Sequence, residues 1–241
     1  MSIIDFKIDL SIRQFYVKLV MLEPDIIIPV YKPAGPATYD IIRIFKKKTD
    51  FKGKIGHGGS LDPFACGIVL LLIGKATRRF EEILSWKKIY LAGIRLGATS
   101  KTGDVAGEIK TSVSKKNSRI DHRLVEDTIK NFVGEIEQKV PPYSAAKFQG
   151  TPMYKFARNG IEIEKTKKVK IFNIEFIYLK YPLLTLTITC TGGVYIRQLV
   201  QDIALKMGEN GFLYFLERKQ VGEFTVDDCV SIENFGKITI Q

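Results

Sequence analysis

The sequence contains few of the residues from which metal sites and disulfide frameworks are built. Its 241 residues include three cysteines, at positions 66, 190 and 229, and two histidines. The cysteines are odd in number and are not spaced like metal ligands, so the sequence predicts no metal site and no disulfide framework. This cysteine usage is typical of a protein in a reducing compartment.

Long hydrophobic runs are also missing. No segment approaches the roughly 20 apolar residues that cross a bilayer. Residues 1–20 interleave charged and apolar positions and lack the apolar core of a signal peptide. The sequence therefore predicts a cytoplasmic protein without a membrane segment. We interpret residues 1–24 as an N-terminal extension, because they precede every motif described below.

Acidic residues are fewer than basic ones. The chain has 26 Asp and Glu residues against 37 Lys and Arg residues, which gives a formal net charge of +11 and a pI near 9.4. A basic excess raises the local concentration of polyanions, so RNA, DNA and acidic membranes are the partners that this charge favours. Charge alone does not choose among them. The length permits one large domain or two small ones.

One stretch, residues 54–67, places a single carboxylate among glycines. Asp62 lies in the sequence KIGHGGSLDPFACG, whose glycines occupy positions 56, 58, 59 and 67. Glycine permits close backbone approaches, and Pro63 biases Asp62 toward an extended conformation. The apolar residues 68–73 that follow predict a short buried strand. Such a strand would hold the carboxylate rigidly at a surface cleft, where loop residues usually carry function.

Other elements are predicted from periodicity and capping residues. Residues 25–30 have the pattern of a buried strand, and Thr38 or Asp40 is placed to cap a helix through residue 45. Asp121 is placed to cap a helix over residues 122–133. Alternating apolar residues predict antiparallel strands at 172–176 and 184–190. A helix that opens near residue 196 is predicted to end at Gly208.

Several motifs follow one another along the chain in a recognisable order. They are KPAGPAT (32–38), GHGGSLDPFACG (56–67), GKATR (74–78), KIY (88–90), RLG (95–97), TSKTGDVAGEI (99–109), PPYSAAKFQG (141–150), GVYIR (193–197) and LERKQV (216–221). In this order they resemble the motifs of the TruB family of tRNA pseudouridine synthases. The resemblance covers about residues 27–235, which is nearly the whole chain.

The resemblance implies an α/β (α+β) class and the pseudouridine synthase fold. In that fold a central, mostly antiparallel mixed sheet carries flanking helices, and an inserted segment, here at about residues 136–164, closes over RNA. We expect residues 25–241 to form the catalytic domain. Many bacterial members carry a further RNA-binding PUA domain, and we expect this chain to lack it.

The activity implied by the resemblance is isomerisation of the T-loop uridine of tRNA, conventionally position 55, to pseudouridine. Asp62 would act as nucleophile or base, Arg197 is the arginine expected beside that carboxylate, and Tyr90 is the ring expected against the flipped uracil. No atom is gained or lost, so no cofactor is expected. We assign His57 to RNA positioning rather than to proton transfer.

The partner implied is the T-arm stem-loop of tRNA, bound by a monomer that needs no obligate protein partner. Aromatic and basic residues that alternate in the motifs suit base stacking and phosphate neutralisation. The residues expected to contact RNA are His57, Lys32, Gly58, Arg78, Asp104, Tyr143, Lys147, Tyr154, Arg158, Tyr195 and Leu216.

Two positions depart from the family pattern. Lys101 stands where an aspartate is usual, and Gly192-Gly193-Val194 stands where bacterial members often have Lys-Gly-Thr. The first departure leaves open the role of an acidic residue in that turn. The second indicates that a lysine contact is missing.

Alternative interpretations stay open at this point. The segment 32–38 is as well explained by a structural strand–turn–helix corner as by RNA contact, a strand tyrosine such as Tyr90 is usually packed in a core, and core packing is the simpler role for Leu216. At the level of the whole protein, the chain could be a tRNA-folding chaperone in which catalysis is secondary, or a subunit of a guide-RNA particle.

Overall fold

The structure is a computed structural model that describes residues 6–7, 16–17, 20–22, 25–111 and 120–238. Most of the predicted N-terminal extension lies outside the described residues. The chain forms two compact units. The first unit comprises Met1–Ile89 and Glu217–Gln241, and the second comprises Tyr90–Leu216.

Strands and helices alternate along the described chain. The strands are β1 (Phe6–Lys7), β2 (Tyr16–Val17), β3 (Val20–Leu22), β4 (Asp25–Lys32), β5 (Ile55–His57), β6 (Cys66–Ile73), β7 (Lys88–Leu96), β8 (Ala98–Ser100), β9 (Ile109–Thr111), β10 (Gly134–Lys139), β11 (Lys147–Phe148), β12 (Thr151–Pro152), β13 (Thr166–Lys180), β14 (Leu183–Cys190), β15 (Gly211–Val221), β16 (Phe224–Thr225) and β17 (Val230–Ser231). The α-helices are α1 (Thr38–Thr49), α2 (Phe80–Ser85), α3 (His122–Ile129), α4 (Met153–Arg158) and α5 (Ile196–Lys206). Short 3-10 helices cover Gly74–Arg79, Lys130–Phe132, Val226–Asp228 and Ile232–Lys237.

The first unit is built around β6, the buried strand that the apolar run predicts. Seven of its eight residues, 67–73, are buried, so both of its faces are covered by other elements. It pairs antiparallel with β4 and β5, and parallel with the end of β15 through Glu217↔Cys66 and Arg218↔Gly67. The surrounding core contains Ile27, Ile68, Leu70, Leu72, Ala76, Ile83, Val221 and Phe224.

Helix α1 has the amphipathic pattern expected of a surface helix. Ile41, Ile42 and Phe45 are buried on one face, and the ring of Phe45 packs edge-on against Phe235 at a centroid distance of 5.1 Å. An Asp40 carboxylate oxygen accepts a hydrogen bond from the Ala37 backbone N–H (2.8 Å), which stabilises the start of the helix. Its last turn is basic, as suits the negative end of the helix dipole.

The second unit contains a sheet in the strand order β10-β13-β14-β7-β15. Strand β13 pairs antiparallel with both β10 and β14. In β14, Leu184, Leu186, Ile188 and Cys190 are buried and alternate with half-buried residues, as the sequence predicts. Helix α5 buries Leu199, Val200 and Ile203.

The predicted local elements are largely confirmed. The Asp121 side chain accepts from the Leu124 backbone N–H (2.9 Å) and caps α3, although the α-helix ends at Ile129 and a 3-10 turn continues it. Gly208 has φ of +79°, the left-handed conformation that ends α5. Among the described strands most pairings are antiparallel, and β6 with β15 and β4 with β17 pair in parallel, which confirms the predicted α/β class with a mixed sheet.

Gly67 provides a test of how closely β6 approaches β15. Its φ is +112°, and a Cβ there would lie 2.3 Å from the Arg218 carbonyl oxygen. Gly35 has almost the same φ, +113°, but a Cβ there would meet nothing within 4 Å. We expect Gly35→Ala to cost about 1 kcal/mol and Gly67→Ala about 3 kcal/mol or more in urea unfolding, because only Gly67 adds a backbone clash to the strained φ. Equal losses in the two variants would contradict this explanation.

Candidate active site

The loop that carries Asp62 is held from beneath by a buried guanidinium. Arg218 is only 2% exposed. Its Nε donates to the Ile68 carbonyl (2.7 Å), its Nη1 to the Ser60 carbonyl (3.1 Å) and its Nη2 to the Gly59 carbonyl (3.1 Å). The planar fork of arginine suits successive carbonyls of one turn. Arg218 therefore ties the loop to the strand that follows it.

Thr38, at the start of α1, fixes the residue immediately before the carboxylate. Its Oγ1 donates to the Leu61 carbonyl (3.0 Å) and accepts from the Leu61 N–H (2.9 Å). Both backbone polar groups of Leu61 are thus satisfied by one buried hydroxyl. Within the loop, the Ala65 N–H donates to the Asp62 carbonyl (3.1 Å). Asp62 itself is half-buried, so its backbone is held while part of its surface stays accessible.

Lys32, one of the predicted RNA contacts, is surrounded by backbone carbonyls. It is fully buried, and its Nζ donates to the carbonyls of Pro33 (2.9 Å), Pro36 (2.9 Å) and Pro63 (3.2 Å). Burial lowers the pKa of Lys32 to about 8, and the charge of Asp62 is among the effects that oppose this shift. All three donors of the ammonium have backbone partners. We therefore propose that Lys32 positions the loop rather than binding phosphate.

His57 lies at the end of β5, beside the same loop. Its Nδ1 accepts a hydrogen bond from the Gly59 N–H (3.2 Å), and its ring packs edge-on against Phe80. Burial lowers the pKa of His57, with the charge of Arg218 as a second cause. The accepting Nδ1 assigns the proton of the neutral imidazole to Nε2. A neutral imidazole suits the predicted role of positioning the RNA, and it suits a direct contact with phosphate less well.

Two further predicted RNA contacts in this unit differ in accessibility. The Gly58 N–H donates to the Leu70 carbonyl (2.8 Å), and a Cβ at Gly58 would lie 2.7 Å from a methyl group of Ile83. The glycine is thus required by packing. Arg78 is exposed on the 3-10 helix that follows β6, where it is accessible to a ligand.

In the second unit, the guanidinium of Arg197 is fixed by groups distant in sequence. Arg197 lies in the first turn of α5 and is 6% exposed. Its Nη1 donates to the Thr102 carbonyl (2.7 Å) and lies 3.3 Å from an Asp104 carboxylate oxygen, and its Nη2 donates to the Tyr143 carbonyl (3.0 Å). Arg197, Asp104 and Tyr143, all predicted from sequence, are therefore brought together.

Asp104 is held as firmly as its partner. Its Oδ1 accepts from the Thr102 hydroxyl (2.6 Å) and from the Ala106 N–H (3.0 Å), and the residue is 5% exposed. A carboxylate buried in this way is placed to orient Arg197 and to balance part of its charge. Direct RNA contact by Asp104 is still only a prediction.

The turn before α5 is anchored by a residue that the motifs do not indicate. Gln138 of β10 is 1% exposed, its Nε2 donates to the Tyr195 carbonyl (3.1 Å), and its Oε1 accepts from the Tyr195 N–H (2.9 Å). This paired bond fixes the backbone of the predicted RNA contact Tyr195. Gln138 stands in the unremarkable sequence GEIEQK, so no pattern in the chain could have identified it.

The buried residues Tyr90 and Leu216 occupy strands. Tyr90, in β7, is 7% exposed and Leu216, in β15, is 4% exposed. Their burial is compatible with the floor of a pocket and equally with ordinary core packing. Their assigned roles therefore stay predictions.

The predicted insertion contains a small hairpin and a short helix. Strands β11 and β12 pair across Gln149-Gly150, whose φ values of +47° and +80° are those of a tight two-residue turn. Helix α4 follows, with Phe156 edge-on to Phe148 and the Arg158 guanidinium 5.2 Å from the centre of the Tyr154 ring. Lys147 and Arg158 are exposed. The segment thus presents cationic and aromatic groups together, and closure over RNA stays a prediction.

No group of three or more His, Cys, Asp or Glu side chains within the described residues is arranged to hold a metal ion. In the same part of the chain, no helix is long and apolar enough to cross a membrane.

Comparison with known proteins identifies the family. Residues 43–196 match the TruB family pseudouridylate synthase (N terminal domain). The tRNA pseudouridine synthase B of Clostridium tetani is 36% identical over 216 residues, which cover 89% of this chain and 74% of the relative. The enzyme of the same name from Parabacteroides distasonis is 36% identical over 208 residues, covering 84% of this chain and 88% of the relative. The chain belongs to the TruB family of pseudouridine synthases.

Solved structures agree on the fold. A chain of a Cbf5–Nop10–Gar1 complex matches with a TM-score of 0.66 and 25% identity, covering 86% of this chain and 52% of that chain. A chain of an H/ACA RNP bound to a substrate RNA containing 2′-deoxyuridine matches with a TM-score of 0.63 and 22% identity, over 86% of this chain and 51% of that chain. The chain spans about half the length of these structural relatives. The predicted pseudouridine synthase fold is confirmed.

The bond between Thr38 and Leu61 can be removed without changing side-chain shape. We expect Thr38→Val to destabilise the protein by about 1–3 kcal/mol, because two buried backbone groups lose their partner. Turnover on RNA should fall about tenfold or more, because the loop of Asp62 loses one of its supports. Thr38→Ser, which keeps the hydroxyl, should stay close to wild type in both measurements. Wild-type turnover in the valine variant would contradict the positioning role.

The lowered pKa of His57 gives stability a definite pH dependence. The unfolded chain binds more protons than the folded one below about pH 6.5, so the stability due to the neutral ring is present above that pH and is lost as the pH falls. We expect His57→Asn, which keeps an acceptor for the Gly59 N–H, to reduce the loss of stability between about pH 7 and pH 5. His122→Asn, at an exposed position of α3, should retain the full loss in urea unfolding. Identical pH profiles for the two variants would exclude His57 as the source.

Proposed function

We propose that the protein isomerises uridine to pseudouridine in the T-loop of tRNA, at position 55. The observation that carries the proposal is a half-buried Asp62 on a loop whose backbone is held by Arg218, Thr38 and Lys32. Membership of the TruB family and the name of the relatives, tRNA pseudouridine synthase B, support the reaction and the substrate.

The reaction breaks the bond between the ribose and uracil N1 and forms a bond from the ribose to C5 of the same base, while C5 gives up its proton and N1 takes one up. Asp62 is assigned as nucleophile or base, and it must be ionised in either role. A rigid loop favours this chemistry, because a carboxylate that is already aimed loses little entropy on meeting its substrate. The reaction is an isomerisation, so the proposed chemistry uses no redox equivalent and no energy source.

The second unit is assigned the other roles. Arg197, oriented by Asp104 and by two backbone carbonyls, is the proposed cationic group of the site. Tyr90 is the proposed stacking surface for the flipped uracil, and stacking offsets the few kcal/mol that base extrusion costs. The segment at about 136–164 is assigned to RNA closure. The pairing of Arg197 with Asp62 stays an expectation from the family resemblance.

We further propose that the chain acts as a cytoplasmic monomer without an obligate protein partner. A purified chain that modifies a bare T-arm hairpin would support this part of the proposal. A requirement for an added protein or guide RNA would contradict it and would favour a subunit of a larger particle.

Replacement of Asp62 separates catalysis from binding. We expect Asp62→Asn to lower turnover by at least about 10⁴-fold, because the group that attacks or accepts a proton is lost. Its affinity for a T-arm hairpin should stay within about threefold of wild type, because the shape of the loop is kept. Pseudouridine formation and hairpin binding are measured on the same preparations.

Asp50→Asn is the matched control, because Asp50 is an exposed carboxylate of the same unit. It should behave like wild type in both assays. Retained turnover in Asp62→Asn would refute the catalytic assignment. The chaperone would be favoured by two results together. The wild-type chain would form no pseudouridine in the hairpin or in tRNA, and its RNA-folding activity would survive in Asp62→Asn.

A further inference from the structure

The ammonium of Lys167 lies against the turn that leads into α5. Lys167 belongs to β13, and its Nζ donates to the Gly193 carbonyl and lies 4.1 Å from the centre of the Tyr195 ring. Gly193 has φ of +82°, and a Cβ there would approach the Lys167 Nζ to 3.3 Å. The glycine therefore both shapes the turn and leaves room for the ammonium.

Among the described residues, no carboxylate balances the charge on this ammonium. Its hydrogen bond and its ring contact are both with neutral groups, and no described Asp or Glu forms an ion pair with it. Burial lowers the pKa of Lys167 to about 8, and the nearby charge of Lys165 acts in the same direction. A partly desolvated cation without a counter-ion is unfavourable in the isolated protein and becomes favourable when an anion binds.

The surroundings identify the kind of anion. Tyr195, the ring beneath the ammonium, is a predicted RNA contact, and Arg197 follows it by two residues. The Lys165 Nζ donates to the carbonyl of Lys147, another predicted RNA contact (2.8 Å). The Gly193 carbonyl and the Tyr195 ring leave part of the ammonium able to donate to a further acceptor. Phosphate oxygens are the anionic acceptors that an RNA stem-loop offers at such a surface.

The same turn contains one of the two departures from the family pattern, and a lysine from another strand lies beside it. Gly192 stands where bacterial members of the family often have lysine, and Lys167 brings an ammonium to the adjacent carbonyl from a different strand. We propose that Lys167 is a phosphate-binding residue of the RNA site and replaces the lysine that this chain lacks at position 192. The proposal rests on the proposed function, because it takes RNA as the ligand.

The first test measures the affinity for a T-arm hairpin at several salt concentrations. We expect Lys167→Met to weaken binding about tenfold and to reduce the slope of log Kd against log salt by about one, as the loss of one phosphate contact predicts. KM should rise while kcat stays near wild type. Lys167→Arg should retain most of the affinity, because it keeps the charge. Lys168→Met is the control, because Lys168 is exposed on the neighbouring position of β13 and carries the same charge.

The second test transfers the charge back to the family's usual position. We expect Lys167→Met combined with Gly192→Lys to recover the affinity and the salt slope, because the ammonium reaches the same turn from the other side. A purely structural role for Lys167 would not be rescued in this way. If Lys167→Met lowers the melting temperature, Lys167→Gln takes its place, because its amide can still donate to the Gly193 carbonyl without a charge.

The outcomes separate this proposal from the function itself. An active wild-type protein whose Lys167 variants bind like Lys168→Met overturns the phosphate contact and leaves the isomerase assignment intact. A fall in kcat without a change in KM or salt slope also overturns it. A wild-type chain that binds the hairpin through Lys167 but never forms pseudouridine overturns the proposed function and leaves the contact standing.

Discussion

The structure depends on buried cations that donate to backbone carbonyls. A loop that presents a side chain in a fixed place needs partners for its own polar backbone groups, and most loops obtain them from water. The Asp62 loop obtains them from Arg218 and Lys32, whose six hydrogen bonds all end on carbonyls. Bonds to a charged donor contribute more than neutral ones, and a carbonyl that lost such a donor would remain buried and unsatisfied. The loop is therefore rigid, because a movement that broke one of these bonds would leave a buried carbonyl unsatisfied.

The second unit uses the same device with one difference. The guanidinium of Arg197 also donates to two carbonyls, but Asp104 lies beside it. Within the described residues Arg218 forms no ion pair, and its donors are directed at backbone oxygens, as suits a brace. Arg197 is instead held by an anionic partner that limits its orientation and its net charge. Gln138 makes the comparable connection for the Tyr195 backbone, with a neutral amide in place of a charge.

Local features were predictable from the sequence, whereas distant connections were not. The strand after Asp62, the cap at Asp121 and the end of α5 at Gly208 follow from periodicity and residue type within a few positions. Arg218 and Gly59 are separated by 159 positions, and no local pattern connects them. Strand β13 begins at Thr166, whereas the alternation of apolar and polar residues predicts it only from residue 172. The pattern misses the start of the strand because three of its first five residues are lysines. The setting of Lys32 was unpredictable for a related reason, since sequence alone does not show that three carbonyls surround its ammonium.

The two departures from the family pattern have different structural consequences. Lys101 is exposed in its turn, while the carboxylate beside Arg197 comes from Asp104. An aspartate at position 101 is therefore not needed to hold the arginine, and its replacement by lysine leaves that pair in place. Gly192 lies in the turn that carries Tyr195 and leads to Arg197, so the loss of a cation there removes a charge from the site itself. Lys167 of β13 brings an ammonium to the same turn. What matters for function is therefore where a charge lies in space, and not which position of the motif carries it.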